Sequence, residues 1–145
     1  MAFSAGQRAD AADFNLTGQV LSALVAAGTT TSGTYANMPA TSSVNLTKAS
    51  ANTRLRIEFA CTTFVTVAST IVQFGVLVNS TDYDISRLFF NPASTHQACP
   101  TGVVYISGLA ANIWTVQARW RRVSGTGTVT TDANDWVTLD VQEVL

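Results

Sequence analysis

The chain has 145 residues, 47% of them hydrophobic and only 12% charged, with a net charge of −1. One ordinary domain fits that length, and a core can form without a metal or a disulfide. A near-neutral chain with no basic stripe is a poor partner for nucleic acid, and no run of about eighteen apolar residues provides a membrane helix. The charged share is about half the usual ~25%. Thr, Ser and Asn fill the gap. Such a surface repels copies of itself only weakly, which suits packing into an assembly.

The N-terminal stretch "FSAGQRADAADFN" is small and polar, with no two-residue alternation. It has neither the basic segment nor the apolar core of a secretion signal. Asp10 is a good helix N-cap, and Asp13 complements the helix dipole three residues on. Phe14, Leu21, Leu24 and Val25 share one helical face, but Thr17 and Gly18 interrupt it. One helix, or a short helix over 11–16 followed by an extended segment, both satisfy the pattern. "GTTTSG" at 28–33 has the composition of a flexible joint.

From Thr34 a period of two dominates. In "TYANMPATSSVNLT", Pro39 splits the run into two short strands or a broken edge strand. "TRLRIEFACTTF" alternates cleanly, with Leu55, Ile57, Phe59 and Cys61 on one side and Arg54, Arg56 and Glu58 on the other. "TIVQFGVLVN" places Val72, Phe74, Val76 and Val78 together and leaves Ile71 and Leu77 on the opposite face. That strand is expected to be covered on both sides. "NSTD" turns it into "YDISRLFFN", a hairpin. "NPASTHQACPTG" is the longest strand-free connection, and "VVYISGL" is a short strand. "NIWTVQARWRRV" points Trp114, Val116, Ala118 and Trp120 inward and Arg119 and Arg121 outward. "WVTLDVQEVL" closes the chain with Val137, Leu139 and Val141 on one face. About seven or eight antiparallel strands with no alternating helices define an all-β sandwich. The expected division is an anchor and linker over 1–33 and a sandwich domain over 34–145.

Chemistry-bearing residues are few. Cys61 and Cys99 form no C-x-x-C pair, and with a single histidine, His96, no zinc set is readable. Burial as free thiols is the simpler reading, and a disulfide stays open. "TDYD" (Asp82, Asp84) and "TDANDW" (Asp132, Asp135) are close acidic pairs, but neither fits a calcium-loop pattern, and turn residues bonding their own backbone explain them. His96 has no neighbouring nucleophile or base and no G-x-S-x-G elbow accompanies it, so a surface-loop role is expected. Glu58 and Glu143 sit in strands with nothing to mark them as a glycosidase pair. Trp114 and Trp120 belong with the core by alternation, whereas Trp136 begins a strand and is the better candidate for exposure. Arg119 and Arg121 are either solvated or meet carboxylates on a neighbouring subunit. The N-x-[ST] matches at Asn15, Asn45 and Asn79 arise by chance in so Thr- and Ser-rich a chain. No enzyme, cofactor or metal is expected.

Several phrases carry a resemblance. "FGVLVNSTDYD", "IWTVQARWRRVSGTGTV" and the closing "LDVQEV" resemble strands of the small jelly-roll domains on tailed-bacteriophage virions and, more distantly, of the trimeric C1q- and TNF-like jelly roll. "FSAGQRADAADFN" is similar to the phrase F-x-A-G-x-x-h-x-A-x-D-h-N (h, apolar) that opens many phage tail and appendage proteins. Ala9 departs from it, standing where a larger apolar residue is usual, and Asp10 stands where Thr is common. The resemblance implies a jelly-roll homotrimer on a virion, assembled in the bacterial cytoplasm. Its partners would be phage capsid or tail proteins, with a host surface glycan as the alternative. Phe3, Gly6, Asp10, Asp13 and Phe14 are then the anchor residues. Ile71, Leu77 and Tyr83, apolar where alternation would place polar residues, are either a subunit seam or covered within one subunit.

Overall fold

The structure, a computed structural model, describes residues 17–39 and 42–145. The described residues form twelve β-strands and no helix. These are β1 (Gly18–Leu24), β2 (Gly28–Thr30), β3 (Ala36–Asn37), β4 (Ser43–Lys48), β5 (Arg54–Val65) and β6 (Thr70–Val78). Then follow β7 (Thr81–Phe90), β8 (Gln97–Ala98), β9 (Gly102–Ile106), β10 (Asn112–Ser124), β11 (Val129–Thr131) and β12 (Trp136–Val144). All pairings are antiparallel and build two sheets, the β-sandwich expected from the alternation.

The larger sheet runs β1-β12-β5-β11-β2, with β8 and β9 on the other side of β5. The smaller runs β3-β10-β6-β7, with β4 beside β3 on β10. The alternating faces meet between the sheets. Leu55, Ile57, Phe59, Cys61, Val137, Leu139 and Val141 from one sheet pack on Val72, Phe74, Val76, Val116, Ala118 and Trp120 from the other. The Phe59 and Phe74 rings stack at 6.0 Å across the middle. Pro39 does split its run, into β3 and β4. The β6–β7 hairpin closes through Asn79 and Ser80, both at positive φ (49° and 62°). That is the primed two-residue turn, whose twist matches the strands.

Two expectations change. The stretch 1–33, read as anchor and linker, supplies β1 and β2 to the larger sheet. β1 pairs with β12 over its whole length, and β2, inside the "GTTTSG" joint, pairs with β11. Backbone hydrogen bonding decides here, and Gly18–Leu24 is extended where one of the two sequence readings made it helix. The sandwich therefore takes in residues from Gly18 onward. The anchor residues Phe3, Gly6, Asp10, Asp13 and Phe14 lie outside the described residues.

Candidate functional site

The strand β5 is the longest in its sheet, and both neighbours break alongside its C-terminal half. On one side β12 pairs with Arg54–Cys61 and β11 with Phe64–Val65, leaving the turn Asp132–Asp135 between them. On the other side β9 pairs with Leu55–Phe59 and β8 with Thr62–Thr63, with 99–101 between. The side chains of β5 mend part of the gap. Thr62 Oγ1 accepts the Trp136 N–H at 3.0 Å, and Thr63 Oγ1 donates to the Thr130 carbonyl at 2.6 Å.

These two interruptions bring His96 to Asp132 and Asp135. The His96 Nδ1 lies 2.7 Å from Asp135 Oδ1, and its Nε2 lies 3.5 Å from Asp132 Oδ2. The Asp135 side chain is fully buried; its other oxygen accepts the Asp132 N–H at 2.9 Å. Asp132 Oδ1 in turn accepts the Asn134 N–H at 2.8 Å, so the turn does bond its own backbone. The imidazole packs on the Phe64 ring at 4.7 Å. The hydrogen bond to Asp135, and then the charge of both carboxylates, hold the His96 pKa above its usual value despite partial desolvation.

With a carboxylate at each ring nitrogen, His96 has no nitrogen turned to a serine or cysteine nucleophile. Its role here is that of an imidazole clasp joining two loops. Among the described residues these three side chains also bring one donor atom each within 4.8 Å of the others. Imidazole and carboxylate are donors that divalent zinc or manganese accepts. The sequence reading saw "TDANDW" as a turn and His96 as solitary. Their meeting spans 39 residues, so no local spacing announces it.

Beside the clasp lie Cys61 and Cys99, both buried and free. The Cys99 N–H donates to the Cys61 carbonyl at 2.8 Å, and Cys99 Sγ is 2.8 Å from Ser86 Oγ. Burial pushes the Cys61 thiol up, whereas the hydrogen bonds from Cys61 and Ser86 lower that of Cys99.

The outer face of the smaller sheet carries a second polar group. Arg119 donates to Asp82 at 3.0 Å, to the Tyr35 carbonyl at 2.9 Å and to Asn37. Arg121 lies over the Tyr35 ring at 4.9 Å and 3.9 Å from Asp84, and Tyr35 Oη donates to Asp84 at 2.6 Å. Burial and the Asp84 hydrogen bond push the Tyr35 phenol well up. Both arginines point outward as alternation required, but their partners are carboxylates of the same chain. Asp82 and Asp84, the "TDYD" pair, are thereby engaged.

The three seam candidates do not come together. Ile71 and Leu77 are half-buried on the outer face of β6, while Tyr83 sits opposite Val76 and packs against the core. Exposed apolar side chains stand on both outer faces: Phe89 (53%) on β7 beside Ile71 of the smaller sheet, and Val103 (42%) and Tyr105 (54%) on β9 beside Glu58 and Arg56 of the larger. β7 and β9 are the edge strands of the two sheets on one side of the sandwich, in contact where Gly102 lies against Ile85. Trp120 is buried at 1% as alternation predicted, Trp114 on the same face is half-buried against the core, and Trp136, which opens β12, is 38% exposed as expected. Comparison with protein-family models and with curated proteins found no match.

Proposed function

We propose that the protein is a non-enzymatic structural component of a tailed-phage virion, a trimeric jelly-roll protein decorating the capsid. The observation that carries the proposal is that the two sheets end on one side in the free edge strands β7 and β9, each of which leaves an aromatic side chain, Phe89 or Tyr105, exposed. A free strand edge presents unpaired N–H and C=O groups that a second copy can satisfy. A ring of three copies would cover this side by a head-to-tail contact. The paired charges of the outer face fit the same reading, because they are neutralised within the chain and do not repel a neighbour. The phrases shared with phage appendage proteins supply the setting. Light scattering on the purified protein tests the self-association, with a mass of three copies expected. The double variant F89E/Y105E is expected to elute as a monomer with an unchanged circular-dichroism spectrum. Co-sedimentation with capsids from a phage lacking the gene tests the partner. A wild-type monomer that leaves such capsids bare would refute the reading.

A receptor-binding head is the second reading, favoured by Trp136. This exposed indole stands beside the Asp132–Asp135 turn, and an aromatic face near the accessible Asp132 carboxylate suits a sugar ring. Quenching of tryptophan fluorescence by host surface glycan, abolished in Trp136→Ala, would support it over decoration.

A further inference from the structure

Cys61 and Cys99 play no part in that reading. They face each other across β5 and the segment joining β8 to β9. The Cys99 N–H donates to the Cys61 carbonyl at 2.8 Å, one step beyond the Thr62–Ala98 pair of the ladder. Residues so paired have Cα atoms about 5.5 Å apart, inside the ~4.4–6.8 Å that a disulfide spans. Residues paired across a ladder point their side chains to the same face, and both cysteines belong to the core between the sheets, so the side chains converge. Cys61 is 0% exposed and Cys99 4%, so both are closed to bulky reagents.

A buried pair of this kind is inert if it merely fills space. Filling space does not call for a hydroxyl, yet Ser86 Oγ stands 2.8 Å from Cys99 Sγ, with the Pro100 carbonyl at 3.4 Å. The thiol can donate to the Pro100 carbonyl, and once it ionises the Ser86 hydroxyl can turn to donate to the sulfur.

We propose that Cys61 and Cys99 are a reversible dithiol–disulfide pair, oxidised by a small hydroperoxide, whose bridge staples the middle of β5 to the segment carrying His96. Cys99 is the attacking sulfur, since it has the residual exposure and the Ser86 hydroxyl within donating distance. Its thiolate attacks one oxygen of hydrogen peroxide. The O–O bond breaks, and the departing hydroxide takes a proton to become water. Cys99 is now a sulfenic acid. Cys61 then attacks Cys99 Sγ, the S–O bond breaks, and the Cys61 proton leaves with the hydroxyl as a second water. Two thiols and one peroxide become one disulfide and two waters, and the peroxide oxygens are reduced. A dithiol such as dithiothreitol reverses the bridge. The inference holds whether or not the virion reading does.

The test uses the full-length protein treated with hydrogen peroxide, then unfolded in an alkylating reagent and weighed. The expected product has lost two hydrogens, takes no alkyl group and yields a proteolytic fragment linking Cys61 to Cys99. Dithiothreitol restores two alkylated cysteines, and the bridged form melts at a higher temperature than the reduced form. Cys61→Ser is expected to stop at the sulfenic acid, read by mass as one added oxygen on Cys99. The inference is overturned if both wild-type thiols still alkylate in full, or if Cys99 proceeds to sulfinic acid while Cys61 alkylates. The wild-type measurement decides alone, so a variant that fails to fold does not shelter the idea.

Discussion

Replacing Trp120 with alanine removes the largest fully buried side chain, from the centre of β10. An aromatic residue buries about 150–250 Å², worth roughly 4–6 kcal/mol at ~25 cal/mol per Å². Compaction of the unfolded chain trims that by roughly 10–40%, to about 3–5 kcal/mol, the range seen for large aromatic truncations. One feature offsets it. The Trp120 Nε1 is buried without a hydrogen-bond partner. Leaving such a group unpaired costs about 1–3 kcal/mol, which the truncation gives back. With the low end of that cost, about 1 kcal/mol, given back, the expected net loss for Trp120→Ala is about 2–4 kcal/mol. Trp120→Phe keeps most of the ring and deletes the unpaired N–H, so its loss should stay under about 1 kcal/mol. Urea unfolding followed by circular dichroism measures both. A loss below about 1 kcal/mol for the alanine variant would place Trp120 outside the core. A loss above about 3 kcal/mol for the phenylalanine variant would mean that the indole N–H is hydrogen-bonded after all.

Glu143 is buried and accepts from the Ala49 and Ser50 N–H groups at 2.9 and 3.0 Å and from the Thr53 hydroxyl, tying the 49–53 turn to β12. Burial alone would raise its pKa, but these bonds outweigh it and hold the carboxyl low. Its stabilisation is complete above the ordinary glutamate range near ~4.3 and fades as pH falls through the lower folded value. Acid melts should show this fading, and Glu143→Ala should lose about 2–3 kcal/mol at neutral pH, read from urea midpoints. For His96 the sign is opposite. Its raised pKa stabilises fully below the unfolded value near ~6.5 and is lost as pH rises through the folded value, so the melting temperature should fall across that interval and His96→Gln should flatten the profile. A Cβ at Gly75 would overlap the Tyr83 carbonyl and come within 2.8 Å of Tyr35 Oη. Gly75→Ala should cost about 1–3 kcal/mol, and nuclear magnetic resonance should show the Tyr35 environment disturbed. Ser80 at φ 62° occupies the position where the hairpin turn favours glycine. Ser80→Gly should stabilise by roughly 0.5–1 kcal/mol, seen as a higher urea midpoint.

The long strands were legible because each buries one face. In β5, Leu55 to Cys61 alternate without exception, and in β10 the same rule separates Trp120 from Arg119 and Arg121. β1 was not legible because it is an edge strand with apolar residues on both faces. Val20 points out at 66% exposure while Leu21 packs inward, and Leu21, Leu24 and Val25 match a helical spacing equally well. β2 and β8 span three and two residues, too short for any period to register. The clasp stayed hidden for a different reason. Asp135 and His96 stand on opposite sides of β5, and only the ladder that breaks beside Thr62 and Thr63 makes them neighbours. Ile71, Leu77 and Tyr83 were grouped by pattern, but the irregularity in pairing between Phe74 and Gly75 governs which side of β7 faces the core. Alternation alone does not foresee that shift.

The account rests on attachment to a virion, and gold-labelled antibody viewed by electron microscopy on phage particles encoded with this chain tests it most directly. The account predicts label distributed over the capsid surface of intact particles. Label confined to the tail would contradict the decoration role, and particles that carry no label while the protein stays in the lysate supernatant would contradict the virion role altogether.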